Sequence, residues 1–150
     1  MLAERSHDFY MKEALKEAQK ALDTDEVPVG AIVVCNDQII ARAHNFTEKL
    51  NDVTAHAEML AFTSASDYLG GKFLNECTLY VTLEPCLMCA GASYWARIGT
   101  LVFGASDPKR GFRSKTSEAL HPKSKCVVGI LEKECAQILK DFFAHKRELK

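Results

Sequence analysis

Residues 77–97 read CTLYVTLEPCLMCAGASYWAR, and this stretch changes from a strand pattern to a helix pattern at one proline. From Cys77 to Leu83, leucine and valine alternate with threonine and tyrosine, which is the period of a β-strand. Pro85 suits the first position of a helix, and we expect that helix from Leu87 to Arg97. The stretch therefore predicts a strand that leads directly into a helix, the building unit of α/β proteins.

The sequence on both sides continues this alternation of strands and helices. A helix is predicted after the cap Ser6, and another after the cap Thr54. The turn residues Asn36 and Asp37 join two predicted strands, and residues 104–126 form a long polar connection. Helix, hairpin and then alternating elements indicate an α/β domain with three layers, helix–sheet–helix. The remaining predicted strands and helices are Val29–Cys35, Gln38–His44, Thr100–Phe103 and Val127–Ile130, and Ala55–Ser66 and Leu131–Glu148.

Length and composition indicate one globular domain, residues 1–150. The chain has 47% hydrophobic and 26% charged residues, which suits a single packed core. The longest apolar runs have seven residues, far short of the ~18 of a membrane span, so no membrane partner is expected. The N-terminus has no signal-peptide pattern. We therefore expect a cytoplasmic protein whose six cysteines stay reduced.

The formal net charge is −1, but the charge is unevenly distributed. Residues 1–104 carry 8 basic and 14 acidic side chains, whereas residues 105–150 carry 11 basic and 6 acidic ones. The chain lacks a global basic footprint for nucleic acid, yet a local basic region at the C-terminal end is possible. An ordinary solvated surface explains the same distribution.

Two short segments have the spacing of zinc ligands: His56-Ala57-Glu58 and Pro85-Cys86-Leu87-Met88-Cys89. Cys86 and Cys89 are three residues apart and share a helix face, so both thiolates can bind one Zn²⁺. His56 would be a third, neutral ligand. Three protein ligands leave one tetrahedral position open, as in catalytic rather than structural zinc sites.

Glu58 follows His56 by two residues, and on a regular helix these side chains point in roughly opposite directions. Both can approach one ion only if the metal lies beyond the helix end. That geometry suits Glu58 as a general base beside the open position, because it could take a proton from bound water and pass it to a substrate.

Three other interpretations of these residues remain. The cysteines could be buried thiols with His56 as a helix cap. A structural zinc would need a fourth ligand, for which Cys35, Cys77 and His44 are candidates. A redox disulfide fits strand–Cys-x-x-Cys–helix but leaves the histidine and the glutamate without a role.

The pattern His56-x-Glu58 with Pro85-Cys86-x-x-Cys89 resembles the zinc-dependent nucleoside and base deaminases. Flanking segments resemble the bacterial tRNA-specific adenosine deaminases within that superfamily, and the likeness extends over about residues 8–148. Those segments are Val27–Ala31, Thr54–Glu58, Thr78–Ala92, Arg97–Gly99, Val102–Ala105 and Asp141–Phe143.

The resemblance implies a cytidine deaminase-like fold with a mixed five-stranded sheet, a bound Zn²⁺ and a homodimer. It implies that adenosine at the wobble position of a tRNA anticodon becomes inosine by attack of water at C6, with Glu58 carrying protons. It also implies that Asn45, Val29 and Ala57 contact the substrate, and that the adenine swings out of its stack to enter the pocket.

Two segments depart from this pattern and leave other substrates open. Phe46-Thr47 stands where the family usually has arginine and proline, and the run Tyr94-Trp95-Ala96-Arg97 resembles free-base guanine deaminases. A guanine deaminase or a cytidine or deoxycytidylate deaminase would fit the same metal motif. An RNA-binding module with structural zinc is the alternative without catalysis.

Basic and aromatic residues near the C-terminus are candidate RNA contacts. Lys109 and Arg110 lie on the long polar connection, and Lys146 and Arg147 lie near the end of the last helix. Their neutralisation of phosphates would release counterions and strengthen binding. Phe143 could stack on an unpaired base.

Overall fold

The computed structural model describes residues 5–149, so residues 1–4 and Lys150 of the predicted domain lie outside the described part. The chain alternates helices and strands in the predicted order, with one further short helix. The helices are α1 His7–Asp23, α2 Thr47–Leu50, α3 Ala57–Leu69, α4 Leu87–Ala96 and α5 Glu132–Glu148, and the strands are β1 Gly30–Cys35, β2 Gln38–His44, β3 Cys77–Leu83, β4 Thr100–Ala105 and β5 Lys125–Val128.

The strands form one five-stranded sheet in the order β2-β1-β3-β4-β5. β1 pairs antiparallel with β2 and with β3, whereas β3–β4 and β4–β5 are parallel. The β3–β4 pair is parallel because α4 carries the chain back along the sheet between them, as parallel pairs require. The sheet is therefore mixed and five-stranded, which confirms the fold that the resemblance implies.

Helices cover both faces of the sheet, which confirms the three-layer architecture. On one face α1 and α5 pack against Ile32, Tyr80 and Val102. On the other face α3 and α4 pack against alternate residues of the same strands, including Val33 and Val81. Within the described residues no helix is both long enough and apolar enough to cross a membrane.

Helix α1 lies unusually close to the start of β1. A Cβ atom added to Gly30 would lie 2.1 Å from the carbonyl oxygen of Ala14 and 2.4 Å from the backbone nitrogen of Ala18. These positions of α1 are themselves alanines with fully buried side chains. The absence of side-chain bulk on both elements therefore allows helix and strand backbones to approach.

The prediction of Thr54 as the cap of α3 was wrong, because Thr54 bonds to Asp52 nearby and a more distant residue caps the helix. Both the backbone N–H and the hydroxyl of Thr54 donate to Asp52 Oδ1, at 2.8 and 2.7 Å, so Thr54 belongs to a turn. The N-cap residue is His56. The helix N-terminus is capped instead by Asn45, whose Oδ1 accepts the N–H of Ala57 at 3.0 Å.

Other details also differ from the predictions. Pro85 is not the first helical residue, because Cys86 is the extended N-cap and α4 begins at Leu87. β5 lies two residues earlier than predicted, and the chain then turns through Gly129 and Leu131, both with positive φ, before α5. The polar connection also contains a 3₁₀ turn, Phe112–Ser114.

Candidate metal centre and active site

The two predicted ligand segments meet because two helices begin at the same place. His56 is the N-cap of α3, Cys86 is the N-cap of α4, and Cys89 lies in the first turn of α4. Both N-caps have extended backbone, with φ and ψ of −74° and 151° for His56 and −69° and 172° for Cys86. The helix starts therefore bring an imidazole and two sulfurs together.

The three ligand atoms have the spacing that a tetrahedral zinc site requires. His56 Nδ1 lies 3.6 Å from Cys86 Sγ and 3.5 Å from Cys89 Sγ. Zn–N and Zn–S bonds of about 2.05 and 2.3 Å at a tetrahedral angle would separate nitrogen and sulfur by about 3.6 Å. The donor set fits Zn²⁺ in both chemistry and distance.

The two sulfurs hold protons very differently. The pKa of Cys86 is lowered to about 4, firstly by a hydrogen bond from the Cys89 thiol and then by one from His56, although burial opposes the shift. The pKa of Cys89 is raised, because the proton of the Cys89 thiol is hydrogen-bonded to the Cys86 sulfur and because the Cys89 sulfur is buried. A cation between the two sulfurs would favour the thiolate form of both.

The cluster has three members, not the four of a structural zinc site. Within residues 5–149, the only grouping of histidine, cysteine and acidic side chains with ligand atoms mutually close enough for one ion is His56, Cys86 and Cys89. The candidate fourth ligands are not part of this group. Cys35 and Cys77, both free thiols, lie opposite each other on the neighbouring strands β1 and β3, and His44 stacks on Phe46.

Glu58 lies beside this cluster as the second residue of α3 and is only 4% exposed. His56 precedes the helix, so the two side chains are not forced apart as they would be on a regular helix. Burial raises the pKa of Glu58 to about 7, and the negative charge of Cys86 adds to the shift, against His56 and a hydrogen bond from Cys89. Glu58 can therefore exchange a proton near neutral pH.

A cavity of about 600 Å³ opens above Glu58, which we call the substrate cavity. His56, Glu58, Cys86 and Cys89 are called the metal cluster side below. The lining of the substrate cavity includes several residues that the sequence singled out, together with residues that it did not. The lining residues are Val27, Val29, Asn45, Thr47, His56, Glu58, Leu83, Glu84, Cys86, Ser106, Asp107, Lys109, Arg110, Leu139 and Phe143.

Of the three predicted substrate residues, Asn45 and Val29 line this cavity. Asn45 is 9% exposed. Its Oδ1 accepts the N–H of Ala57, and its Nδ2 donates to the carbonyl of Val27 at 3.0 Å. An asparagine amide has two donors and two acceptor sites, so one of each remains. Val29 lines the cavity, whereas Ala57 is fully buried and contributes its backbone N–H to Asn45.

Of the five predicted RNA contacts, three line the substrate cavity: Lys109, Arg110 and Phe143. Lys146 lies in an adjoining depression and pairs with Asp25 at 2.7 Å. Arg147 is exposed on α5 and lines neither of these two spaces.

Residues 106–113, which we call the basic wall, contribute more to the cavity than the sequence indicated. Glu84 and Asp107 line the cavity but were not predicted. Burial alone would raise the pKa of Glu84. Hydrogen bonds from Arg113 and from the backbone of the wall have the larger effect, so the pKa of Glu84 is below its ordinary value. The sequence signal that could have identified Glu84 as a functional candidate is a charged residue between Leu83 and Pro85, at the end of an apolar strand.

The run that resembles guanine deaminases lies outside the cavity. Tyr94 and Trp95 are exposed on α4, the latter at 78%, and neither lines the cavity. Tyr94 and Trp95 thus belong to the outer face of α4 and not to the lining of the substrate cavity.

Known proteins are similar to this chain over nearly its whole length. A family described as MafB19-like deaminase matches residues 5–147. The tRNA-specific adenosine deaminase of Bacillus subtilis (strain 168) is 47% identical over 148 residues, covering 95% of this chain and 92% of that protein. The tRNA-specific adenosine deaminase of Agrobacterium fabrum (strain C58) is 46% identical, covering 97% and 98%.

A solved structure supports the same assignment. It comes from biochemical and structural studies of A-to-I editing by tRNA:A34 deaminases at the wobble position of transfer RNA, and it superposes with a TM-score of 0.81 at 45% identity. The superposition covers 87% of this chain and 99% of that one. The resemblance that the sequence motifs carry is thus confirmed, and this chain belongs to the MafB19-like deaminase family.

Proposed function

We propose that this protein is a zinc-dependent hydrolytic deaminase that converts adenosine to inosine at the wobble position of a tRNA anticodon. The observation that carries the proposal is a buried Glu58 beside a nitrogen and two sulfurs that have zinc-site spacing. Relatives with 46–47% identity over almost the full chain are tRNA-specific adenosine deaminases, which supports the substrate.

His56, Cys86 and Cys89 would hold the metal. Zn²⁺ with three protein ligands supplies a water molecule whose pKa is lowered toward ~7, and thus a nucleophile at neutral pH. The proposal needs no fourth protein ligand, which agrees with the three-membered cluster of the described residues.

Glu58 would move the protons of the reaction. Its carboxylate accepts a proton from the attacking water and delivers it to N1 of the adenine as the C6–O bond forms. It then takes the second proton of that water from the hydroxyl now at C6 and passes it to the amino group. The C6–N bond breaks, ammonia leaves, and the C6–O bond becomes a carbonyl. A pKa of about 7 equips Glu58 for both directions of transfer, since general acid–base catalysis is most efficient near the working pH.

Asn45 would orient the base. Two backbone hydrogen bonds already fix its amide plane, so its remaining N–H and acceptor site are presented in one orientation. An amide held in this way can pair with the edge of a purine at little cost in side-chain entropy. Val29 would pack against the base from the same side of the cavity.

The anticodon loop of tRNA would be the partner in the cytoplasm. Its bases are unpaired, so little energy is required to move one into the substrate cavity. Lys109 and Arg110 at the cavity would neutralise phosphates that flank the reactive nucleotide, and Phe143 would stack on a neighbouring base.

The test is inosine mapping in tRNA treated with purified protein, with ammonia measured in parallel on tRNA, guanine and cytidine. We expect inosine at the wobble position and no ammonia from the two small substrates. Activity on guanine or cytidine without activity on tRNA would overturn the proposed substrate, whereas no ammonia from any of them would overturn the proposed enzyme.

We propose in addition that the protein is a homodimer, and that the outer face of α4 forms the interface. Leu87 and Tyr94 are seven residues apart, as are Met88 and Trp95, so the four side chains share one side of this helix, and all are exposed. An exposed apolar stripe of this kind is typical of an interface. Light scattering of the Trp95→Glu variant should give a monomer mass, and a monomeric wild-type protein would contradict the proposal.

A further inference from the structure

Glu84 is a buried carboxylate at the substrate cavity to which the deamination chemistry gives no role. Its side chain is 2% exposed and lies between the end of β3 and the metal-ligand segment that begins at Cys86. Burial of a charged group is unfavourable unless the group is paired and hydrogen-bonded. The partners of Glu84 therefore indicate what it holds.

All three of its side-chain hydrogen bonds come from the basic wall. Oε1 accepts the N–H of Asp107 at 3.1 Å and Nη2 of Arg113 at 3.1 Å, while Oε2 accepts the N–H of Arg113 at 3.0 Å. The carboxylate of Glu84 thus binds both ends of the wall, Asp107 at one end and Arg113 at the other. Its ion pair with Arg113 supplies the charge that compensates the burial.

Between these two ends, the wall forms a turn that carries the basic side chains. Asp107 Oδ1 accepts the N–H groups of Lys109 and Arg110, at 3.2 and 3.0 Å, and the carbonyl of Asp107 accepts the N–H of Gly111 at 2.9 Å. The conformation of both basic residues is therefore built on Asp107, which Glu84 anchors.

The wall also contacts the metal-ligand segment directly. Gly111 forms an antiparallel bridge with Cys86, and the N–H of Phe112 donates to the carbonyl of Pro85 at 2.9 Å. A Cβ atom on Gly111 would lie 2.3 Å from Cδ of Glu84. Glu84 and the wall are thus in contact without room for an added methyl group.

Lys109 and Arg110 themselves have no counter-charge in the described part of the chain, residues 5–149, where neither forms an ion pair. Both side chains are exposed at the cavity. The backbone of this turn is held by Asp107 and Glu84, and its two cations line the cavity without a counter-charge. This arrangement suits the binding of an anionic ligand at the cavity.

We infer that Glu84 is a positioning residue for RNA binding: it holds the basic wall against the metal-ligand segment so that Lys109 and Arg110 meet the phosphates flanking the reactive nucleotide. Glu84 acts through the wall and does not touch the substrate. The inference rests on the proposed function, since it concerns how the same cavity holds an RNA.

The test compares the salt dependence of binding to an anticodon stem-loop. Loss of two phosphate contacts on a single-stranded region reduces the slope of log K against log salt by about 1.4. We expect that reduction in Glu84→Gln and in the double variant Lys109→Ala/Arg110→Ala. The triple variant Glu84→Gln/Lys109→Ala/Arg110→Ala should show no larger reduction of the slope than the double variant, because the three residues act through one contact with the RNA.

A second variant reaches the same contact without removing any charge. Gly111 has φ −65°, which alanine adopts readily, so Gly111→Ala acts through crowding: its methyl group would meet the Glu84 carboxylate and the Asp107 carbonyl, the two groups that hold the wall. It should reduce the slope as Glu84→Gln does, and in both variants KM for the stem-loop should rise while kcat changes by less than about twofold.

Matched controls separate positioning from general effects of charge or methyl groups. Glu76→Gln removes the same charge at an exposed position outside the cavity, and Gly71→Ala adds a methyl group where no atom lies within 4 Å. Both should keep the wild-type slope and KM. Zinc content should stay at the wild-type level in every variant, since the ligands are untouched.

Three results would overturn the inference: a wild-type slope in Glu84→Gln and Gly111→Ala, a loss in the triple variant beyond that of the double, or a fall in kcat at unchanged KM. If Glu84→Gln does not fold, Gly111→Ala decides alone. Failure of the proposed function appears differently, as wild-type protein that neither binds the stem-loop nor forms inosine in it.

Discussion

Two buried glutamates line the same cavity, and their pKa values are shifted in opposite directions: Glu58 belongs to the metal cluster side, and Glu84 anchors the basic wall. Glu58 forms no ion pair with a lysine or arginine among residues 5–149, and burial raises its pKa to about 7. Glu84 is equally buried, but Arg113 and two backbone N–H groups bind it, and its pKa is lowered. Burial is the main cause of the raised pKa of Glu58, whereas at Glu84 the hydrogen bonds and the charge of Arg113 outweigh the effect of burial.

This difference in pKa suggests different roles for the two glutamates, proton transfer for Glu58 and positioning of the chain for Glu84. A carboxyl group that gains and loses a proton near neutral pH can take part in a reaction. A carboxylate that stays ionised and accepts several hydrogen bonds can hold a segment of chain in place. One side would thus perform the chemistry and the other would bind the RNA, so each should be separable by experiment.

Removal of the metal should have the largest effect and should be confined to one side. After treatment with a strong chelator we expect deamination to disappear and to return with added Zn²⁺, because His56, Cys86 and Cys89 alone do not activate water. Binding of the stem-loop should keep its salt dependence. Parallel measurement of ammonia release and of binding checks this, and loss of both together would break the distinction.

Substitution of Glu58 should have the next largest effect. Glu58→Gln keeps the shape of the side chain but cannot carry a proton, so kcat should fall by about 10² to 10⁴. The KM for tRNA and the zinc content should stay unchanged. Single-turnover kinetics and metal analysis provide the measurement, with Glu76→Gln as the control for charge. Substantial turnover in Glu58→Gln would show that another group moves the proton.

Single substitutions in the basic wall should have a moderate effect on binding only. Lys109→Ala or Arg110→Ala should each reduce the slope of log K against log salt by about 0.7, with kcat at its wild-type value. Lys72→Ala is the control, because Lys72 lies over the ring of Phe73, outside the substrate cavity. An equal reduction in the control would mean that RNA senses only the overall charge.

The smallest effect is expected at a carboxylate far from the cavity. Hydrogen bonds from Lys16 and Arg42 lower the pKa of Glu13 against the effect of burial. Its stabilising contribution is therefore present above its ordinary pKa of 4.5 and disappears as the pH falls through the lowered value. Both cations are solvent-exposed, so Glu13→Gln should cost about 0.5 kcal/mol at neutral pH.

Thermal unfolding of wild-type and Glu13→Gln protein at neutral and strongly acidic pH checks this expectation. The two proteins should differ at neutral pH and converge in acid. A difference that persists in acid would assign the effect to packing of the side chain and not to its charge.

The sequence predicts those features that depend on neighbouring residues. Apolar alternation predicts β3, and the spacing of Cys86 and Cys89 predicts that their sulfurs share a helix face. Both are local properties of the chain, and the structure has the strand at Cys77–Leu83 and both sulfurs near His56 Nδ1. The same periodicity led to the correct three-layer fold.

Features that depend on distant contacts were not predictable in this way. The cap of α3 comes from Asn45, twelve residues before Ala57, and a local search selected Thr54 instead. The anchoring of the basic wall joins Glu84 to residues more than twenty positions later. The sheet brings these residues together, and only after its topology is known can either contact be recognised.

The two helices that start at the metal cluster constrain which ligands the cluster can contain. Each helix N-terminus carries roughly half a positive charge, and His56 and Cys86 stand at the N-terminal ends of α3 and α4. Two thiolates would balance the charge of a bound Zn²⁺, so that both helix ends would face a neutral group. A histidine in place of either cysteine would leave a net positive charge beside two helix N-termini, and the site should then bind a divalent cation less tightly.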